Sequence, residues 1–198
     1  MLDRSEYYLT EDEERLLLRI ARDTLEAWVR HGERVDPASY PLTGALREEH
    51  GAFVTLRHRG QLRGCIGHTA NRESLAESVR DNAINAACRD PRFDPVLPEE
   101  LPDISVEISA LTPGDTPGTP FRRVHDIGEI SIGRDGLYIE RPPERGGLLL
   151  PQVATDQHWN VEQFLRAVCM KAGYPDGAWR DPEARLYRFS AQVFSEGG

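Results

Sequence analysis

Apolar positions fall at helical spacing near the start of the chain, with Leu17, Ala21, Leu25, Trp28 and Val29 on one stripe. Thr10-Glu11-Asp12-Glu13 precedes them as a capping box, so a helix is predicted from there to about Arg30. Turn residues follow at Asp36-Pro37 and Thr43-Gly44. The spacing then changes to that of strands. Ala52-Phe53-Val54-Thr55-Leu56-Arg57 is β-branched and aromatic, His58-Arg59-Gly60-Gln61 reads as a hairpin connection, and 62–67 is the partner strand. Asn71 is expected to cap a second helix running to about Arg89, with Leu75, Val79, Ala83, Ala86 and Ala87 as its inner stripe and Asp90-Pro91 as its stop. Residues 104–111 alternate apolar and polar as a half-exposed strand. Residues 112–120 are rich in Pro, Gly and Thr and read as a loop. Short strands are predicted around Ile130, at 136–141 and near 148–150. Asn160-Val161-Glu162-Gln163 opens a third helix with Val161, Phe164, Leu165 and Val168 inward and Gly173 at its end, and 186–194 closes as a strand. Helices and hairpins in this mixed order predict the α+β class, with a mixed, mainly antiparallel sheet and about three main helices.

Composition narrows the function classes. The 198 residues suit one domain or two lobes, and 39% hydrophobic content supplies a core. A formal net charge of −9 repels phosphate backbones, which makes nucleic acid a poor default partner. Arg63, Arg72, Arg89 and Arg92 lie in one stretch, but acidic residues interleave with them. No apolar run approaches the roughly 20 residues of a membrane span, and the charged start Met1-Leu2-Asp3-Arg4-Ser5-Glu6 has no apolar core of a signal peptide. Cys65, Cys88 and Cys169 are odd in number and widely spaced. That pattern predicts free thiols, a cytoplasmic location and no structural zinc site. No cofactor is predicted, since phosphate-loop, dinucleotide and Gly-x-Ser-x-Gly signatures are missing.

The candidate chemistry lies in Leu62-Arg63-Gly64-Cys65-Ile66-Gly67-His68. Strand alternation would put Leu62, Gly64 and Ile66 on the core face and Arg63, Cys65 and Gly67 on the other. A guanidinium two residues from a thiol favours the thiolate, and glycines admit a close ligand or backbone. A tightly packed strand with a buried cysteine explains the same residues. His68 would serve Cys65 as a base only if Gly67 turned the chain. Cys88 and Cys169 read as small core hydrophobes. Arg92 and Phe93, in the rigid turn Arg89-Asp90-Pro91-Arg92-Phe93-Asp94-Pro95, are candidates to clamp an anionic ligand, or else the arginines cap the helix and pair with the aspartates. Pro151 and Gln152, after an apolar run, are further binding candidates.

Leu-Arg-Gly-Cys-Ile-Gly at 62–67 resembles the hallmark of the AMMECR domain family, as do Asp90-Pro91-Arg92-Phe93 and the run from Leu101 to Ser109. Leu149-Leu150-Pro151-Gln152-Val153-Ala154, Cys169-Met170-Lys171-Ala172-Gly173 and Ala178-Trp179-Arg180-Asp181-Pro182 look like its later signatures. The likeness spans roughly residues 7–195 and is nearest to the branch called AmmeMemoRadiSam system protein A. It implies an α+β fold with a larger and a smaller lobe, a Memo-type protein and a radical S-adenosylmethionine protein as partners, and no established activity. His68 and His158 stand where the family pattern does not demand histidine. Two functions compete on this basis. One is thiol-dependent chemistry on a small or peptide-like substrate, with Cys65 as nucleophile and Arg63 as its cation. The other is a binding module whose glycine-rich strand, with Gly64, Ile66 and Gly67, is a docking surface.

Overall fold

The Thr10 side chain accepts the Glu13 amide at 3.3 Å while the Glu13 carboxylate accepts the Thr10 amide at 2.8 Å, so helix α1 (Glu11–His31) starts where its capping box stands. Gly32, at φ 69°, ends it in the left-handed conformation. Leu17, Ile20, Ala21, Thr24 and Leu25 form its buried stripe. The computed structural model describes residues 9–69, 73–115, 119–143 and 146–197. They divide into two units: one runs to Leu111 and takes in the chain again from Gln192, and the other is Thr112–Ala191.

In the first unit, strands β1 (Ala52–His58) and β2 (Gln61–His68) form the expected hairpin. Arg59 and Gly60 connect them with φ 51° and 82°, the positive pair that a two-residue hairpin turn demands. Strand β3 (Ile104–Leu111) pairs with the other side of β1, so the order is β2-β1-β3 and β2 lies on an edge. A short helix, α2 (Gly44–Arg47), precedes the hairpin. Helix α3 (Leu75–Cys88) covers β1 and β2 with the alanine stripe read from the sequence. Its cap is Ser74, not Asn71: Ser74 and Glu77 form a capping box. Asn71 itself lies outside the described residues. A serine three residues before a glutamate satisfies two amides at once, which outweighs a lone asparagine further upstream.

The second unit has strands β4 (Arg122–Arg123), β5 (Asp135–Glu140) and β6 (Gly147–Leu149), joined by β7 (Arg185–Ser195), which runs on into the first unit. The order is β6-β5-β7-β4, and every pairing described in either unit is antiparallel. Two short stretches depart from the pattern read in the sequence. Ile130 follows a 3-10 turn at Ile127–Glu129 and is not in a strand, and Pro151–Asp156 is a helix, α4. Proline at the first helical position suits α4, whose six residues are too few to carry a periodicity. Helix α5 (Val161–Lys171) has the expected Asn160/Gln163 box and buries Phe164, Leu165, Val168 and Cys169 against the sheet.

Candidate functional site

The β1–β2 register contains a bulge. Leu56 pairs with Gly64 and Arg57 with Leu62, leaving Arg63 as the extra residue. A one-residue slip transfers every later side chain to the other face. Leu62 therefore shares the face of Arg57, Thr55 and Cys65, and its side chain is 39% exposed rather than in the core. Gly64 and Ile66 keep the packed face as expected. A Cβ on Gly64 would run into the Ala86 carbonyl of α3, so the close neighbour is a helix backbone and not a ligand. Ile66 packs on the unit's core. A Cβ on Gly67 would meet the Phe53 ring and the Ala52 carbonyl. β2 continues straight through Gly67, which puts His68 on the face opposite Cys65 and removes it as a base.

The Asp90–Pro95 turn folds back onto the open edge of β2. Asp90, with a side chain only 2% exposed, accepts the Cys65 amide at 2.9 Å. It also accepts the Arg92 amide at 3.1 Å and two guanidinium bonds from Arg92, 2.9 Å from Nε and 2.6 Å from Nη2. Arg92 is the main cause that holds the Asp90 carboxyl far below the usual carboxylate range, assisted by the two amides and opposed by burial. A carboxylate that takes an outward-facing strand amide also blunts an edge that would otherwise be open to pairing.

Arg63 fastens the other end of the turn. Its guanidinium donates to Glu100 at 2.7 and 3.0 Å and to the carbonyls of Asp94 and Pro95 at 2.9 and 3.4 Å. The Arg63 and Arg92 guanidinium carbons lie 5.9 and 5.5 Å from the Phe93 ring centroid. The structure thus joins Arg63, Cys65, Arg92 and Phe93 in one corner of the first unit; Asp90 pairs with Arg92 as the turn's aspartates were expected to, and Glu100, which the sequence did not single out, is added.

Cys65 is half-buried. Burial, the largest influence, pushes its thiol above the ordinary value. The Thr55 hydroxyl, donating to Sγ at 3.3 Å, and the charge of Arg92 pull the other way without prevailing, while Asp90 and Glu107 reinforce the rise. The cation that acts on the thiol is therefore Arg92. Arg63, expected in that role, is engaged by Glu100, and burial outweighs the cation in setting the direction of the thiol's shift.

A family model described as AMMECR1 matches residues 18–194. The chain belongs to the AMMECR1 family. It is 46% identical over 191 residues to a protein of Methanothermobacter thermautotrophicus, covering 96% of this chain and 97% of the other. A Thermococcus kodakarensis protein is 42% identical over 196 residues, with 96% and 93% covered. The crystal structure of an uncharacterised protein from Pyrococcus horikoshii is similar with a TM-score of 0.87 and 34% identity, covering 96% of this chain and 95% of that one.

In this AMMECR1-family chain all three cysteines are free, as their spacing predicted. Cys169 is fully buried in the core of the second unit, and Cys88 is half-buried with its thiol donating to the Ile84 carbonyl at 3.1 Å. Pro151 and Gln152 form the first turn of α4 in the second unit. Among the described residues no helix is long and apolar enough to cross a membrane, and no group of three or more His, Cys, Asp or Glu is placed to hold a metal ion.

Proposed function

We propose that this AMMECR1-family chain is a recognition module that binds a ligand or a partner segment at the Cys65 corner, with a Memo-type protein and a radical S-adenosylmethionine protein as the partners it serves. The observation that carries this reading is the contrast between thiol and turn. Burial pushes the Cys65 thiol up, and His68 lies on the opposite face of the strand. Arg92, beside it, is fixed by a buried carboxylate and set against an aromatic ring, yet its side chain is 54% exposed. A prepositioned, accessible guanidinium is suited to binding, because little side-chain freedom is lost when it engages. Addition of a strand along β2 is disfavoured, because the Cys65 amide is already taken by Asp90.

A thiol-dependent reaction is the second reading, favoured by the Thr55 hydroxyl bond to Sγ and the Arg92 charge, which both stabilise a thiolate. Binding of the purified Memo-type partner to the full chain, followed by calorimetry, separates the two. Replacing Arg92 and Phe93 together with alanine should weaken binding at least about tenfold, while Cys65→Ser stays within about threefold of wild type. Unchanged binding in the double variant would overturn the module reading. A Cys65→Ser chain that binds normally but abolishes a chemical modification of the partner would establish the second.

A further inference from the structure

We infer that the ligand of the Cys65 corner carries a carboxylate next to an apolar group, and that Arg92 receives it on the end of the guanidinium that Asp90 leaves open. The inference rests on the recognition reading and names the chemistry of its ligand. A guanidinium has five N–H donors on a rigid plane, arranged so that two edges each match a carboxylate. Asp90 occupies the side edge through Nε and Nη2. Among the described residues, the side-chain hydrogen bonds of Arg92 all go to Asp90, and more than half of its side-chain surface remains open. The outer edge, formed by the two terminal nitrogens, has no partner among the described residues and can donate to a second planar oxyanion.

The Arg92–Asp90 pair is close to neutral as a whole, so selection here comes from directional hydrogen bonds and not from net charge. That favours a planar carboxylate over a diffuse attraction to any anion. The apolar part of the ligand is met by the half-buried Phe93 ring. Leu97, 58% exposed in the same connection, and Leu62, 39% exposed on the neighbouring strand, are two of the large apolar side chains that the described surface leaves uncovered. Arg63, locked onto Glu100 and the turn carbonyls, keeps Phe93 in position and leaves Arg92 as the receiving group.

Such a ligand exists in two forms with the same chemistry: a free small acid, and the C-terminus of a peptide ending in an apolar residue. Amide NMR of the full chain tests the inference with N-acetylphenylalanine, its carboxamide, inorganic phosphate and a hexapeptide ending in phenylalanine. The Cys65 amide, hydrogen-bonded to Asp90, is the reporter, together with the Arg92 Nε–H. The acid should shift both signals saturably. The carboxamide should bind at least about tenfold more weakly, and Arg92→Lys, which keeps the charge and loses the fork, should also lose about tenfold. Binding of the hexapeptide at least about tenfold tighter than the acid assigns a peptide terminus, and equal binding assigns a free acid. The proposal is overturned if acid and carboxamide bind alike, if phosphate matches the acid, if Arg92→Lys binds like wild type, or if no probe moves the reporters. None of these results bears on whether Cys65 is a thiolate, so failure here leaves the recognition reading to be judged on its own test.

Discussion

Both units set the backbone at the C-terminal end of a helix against a strand glycine, and the chain beyond the contact then does opposite things. In the first, a Cβ on Gly64 would strike Ala86 of α3; in the second, a Cβ on Gly147 would strike the backbone of Ala172 just past α5. After α3 the chain turns out over the edge of β2, buries Asp90 and presents Arg92. After α5 it turns in: Gly173 takes a φ of 77°, Tyr174 packs on the core and its hydroxyl accepts the Arg141 amide at 3.0 Å. Each unit also has a cysteine whose thiol burial pushes up, Cys65 and Cys169. Of the two, Cys65 alone has an accessible cation acting on it among the described residues. The same packing device therefore yields a sealed core in one unit and a presented corner in the other, and the residues just after the helix decide which.

The comparison breaks most readily at Asp90. Asp90→Ala leaves the Cys65 amide and the Arg92 guanidinium without their acceptor, and should cost about 2–4 kcal/mol in urea unfolding. A loss under about 1 kcal/mol would mean that the turn does not depend on the carboxylate. Next come the paired glycines. Gly64→Ala and Gly147→Ala should each cost about 1–3 kcal/mol, seen as roughly 2–10 °C in melting temperature, because a helix backbone cannot yield as a side-chain tip can. Only Gly64→Ala should also change the reactivity of Cys65. Stabilisation by either substitution, which relief of the glycine entropy alone would give, contradicts the close approach.

The cysteines sharpen the contrast further. Cys169→Ser replaces a fully buried sulfur, to which the Trp179 and Ala178 amides donate, with a smaller and more polar group and should cost about 1–3 kcal/mol. Cys65→Ser, at the half-buried corner, should stay under about 1.5 kcal/mol. An equal, large loss in both would place Cys65 in the core and end its candidacy.

These contrasts were unevenly legible in the sequence. The boxes at Thr10/Glu13 and Asn160/Gln163, the hairpin and the strand at Ile104–Leu111 all depend on neighbours within a few residues, and periodicity exposes them. The bulge at Arg63 could not be read, because alternation assumes a continuous ladder and the partner strand decides where it slips. Asp90 was legible as a helix stop and as an aspartate for the turn's arginines, a pairing that Arg92 makes, but its bond to the Cys65 amide depends on a residue 25 positions away in sequence. The two-residue β4 and six-residue α4 are too short to show a period. The composition of the Arg63–Cys65 stretch singled out this corner, but not that Glu100 engages Arg63 while the charge of Arg92 acts on the thiol, because both partners lie more than 25 residues on in sequence.

The smallest effect expected is in acid. The Asp90 carboxyl is lowered in the folded chain, so its contribution is fully present above the unfolded carboxylate value, about 3.9, and drains away as pH falls toward the lowered folded value. Unfolding measured from pH 6 down to pH 2.5 should therefore show wild type losing stability faster than Asp90→Asn below about pH 4. Parallel curves would show that Asp90 is not the linked group.

The central claim is that the Cys65 corner recognises a ligand beside a protonated thiol, and site-resolved alkylation of Cys65 against pH tests it most directly. Mass spectrometry after brief iodoacetamide pulses follows Cys65 separately from Cys88 and Cys169. The rate should rise only above the ordinary thiol value of about 8.5, and later still in Arg92→Gln, where the Arg92 charge that pulls the thiol down is gone. A Cys65 that titrates below that ordinary value in the wild-type chain would contradict the account and return the site to nucleophilic chemistry.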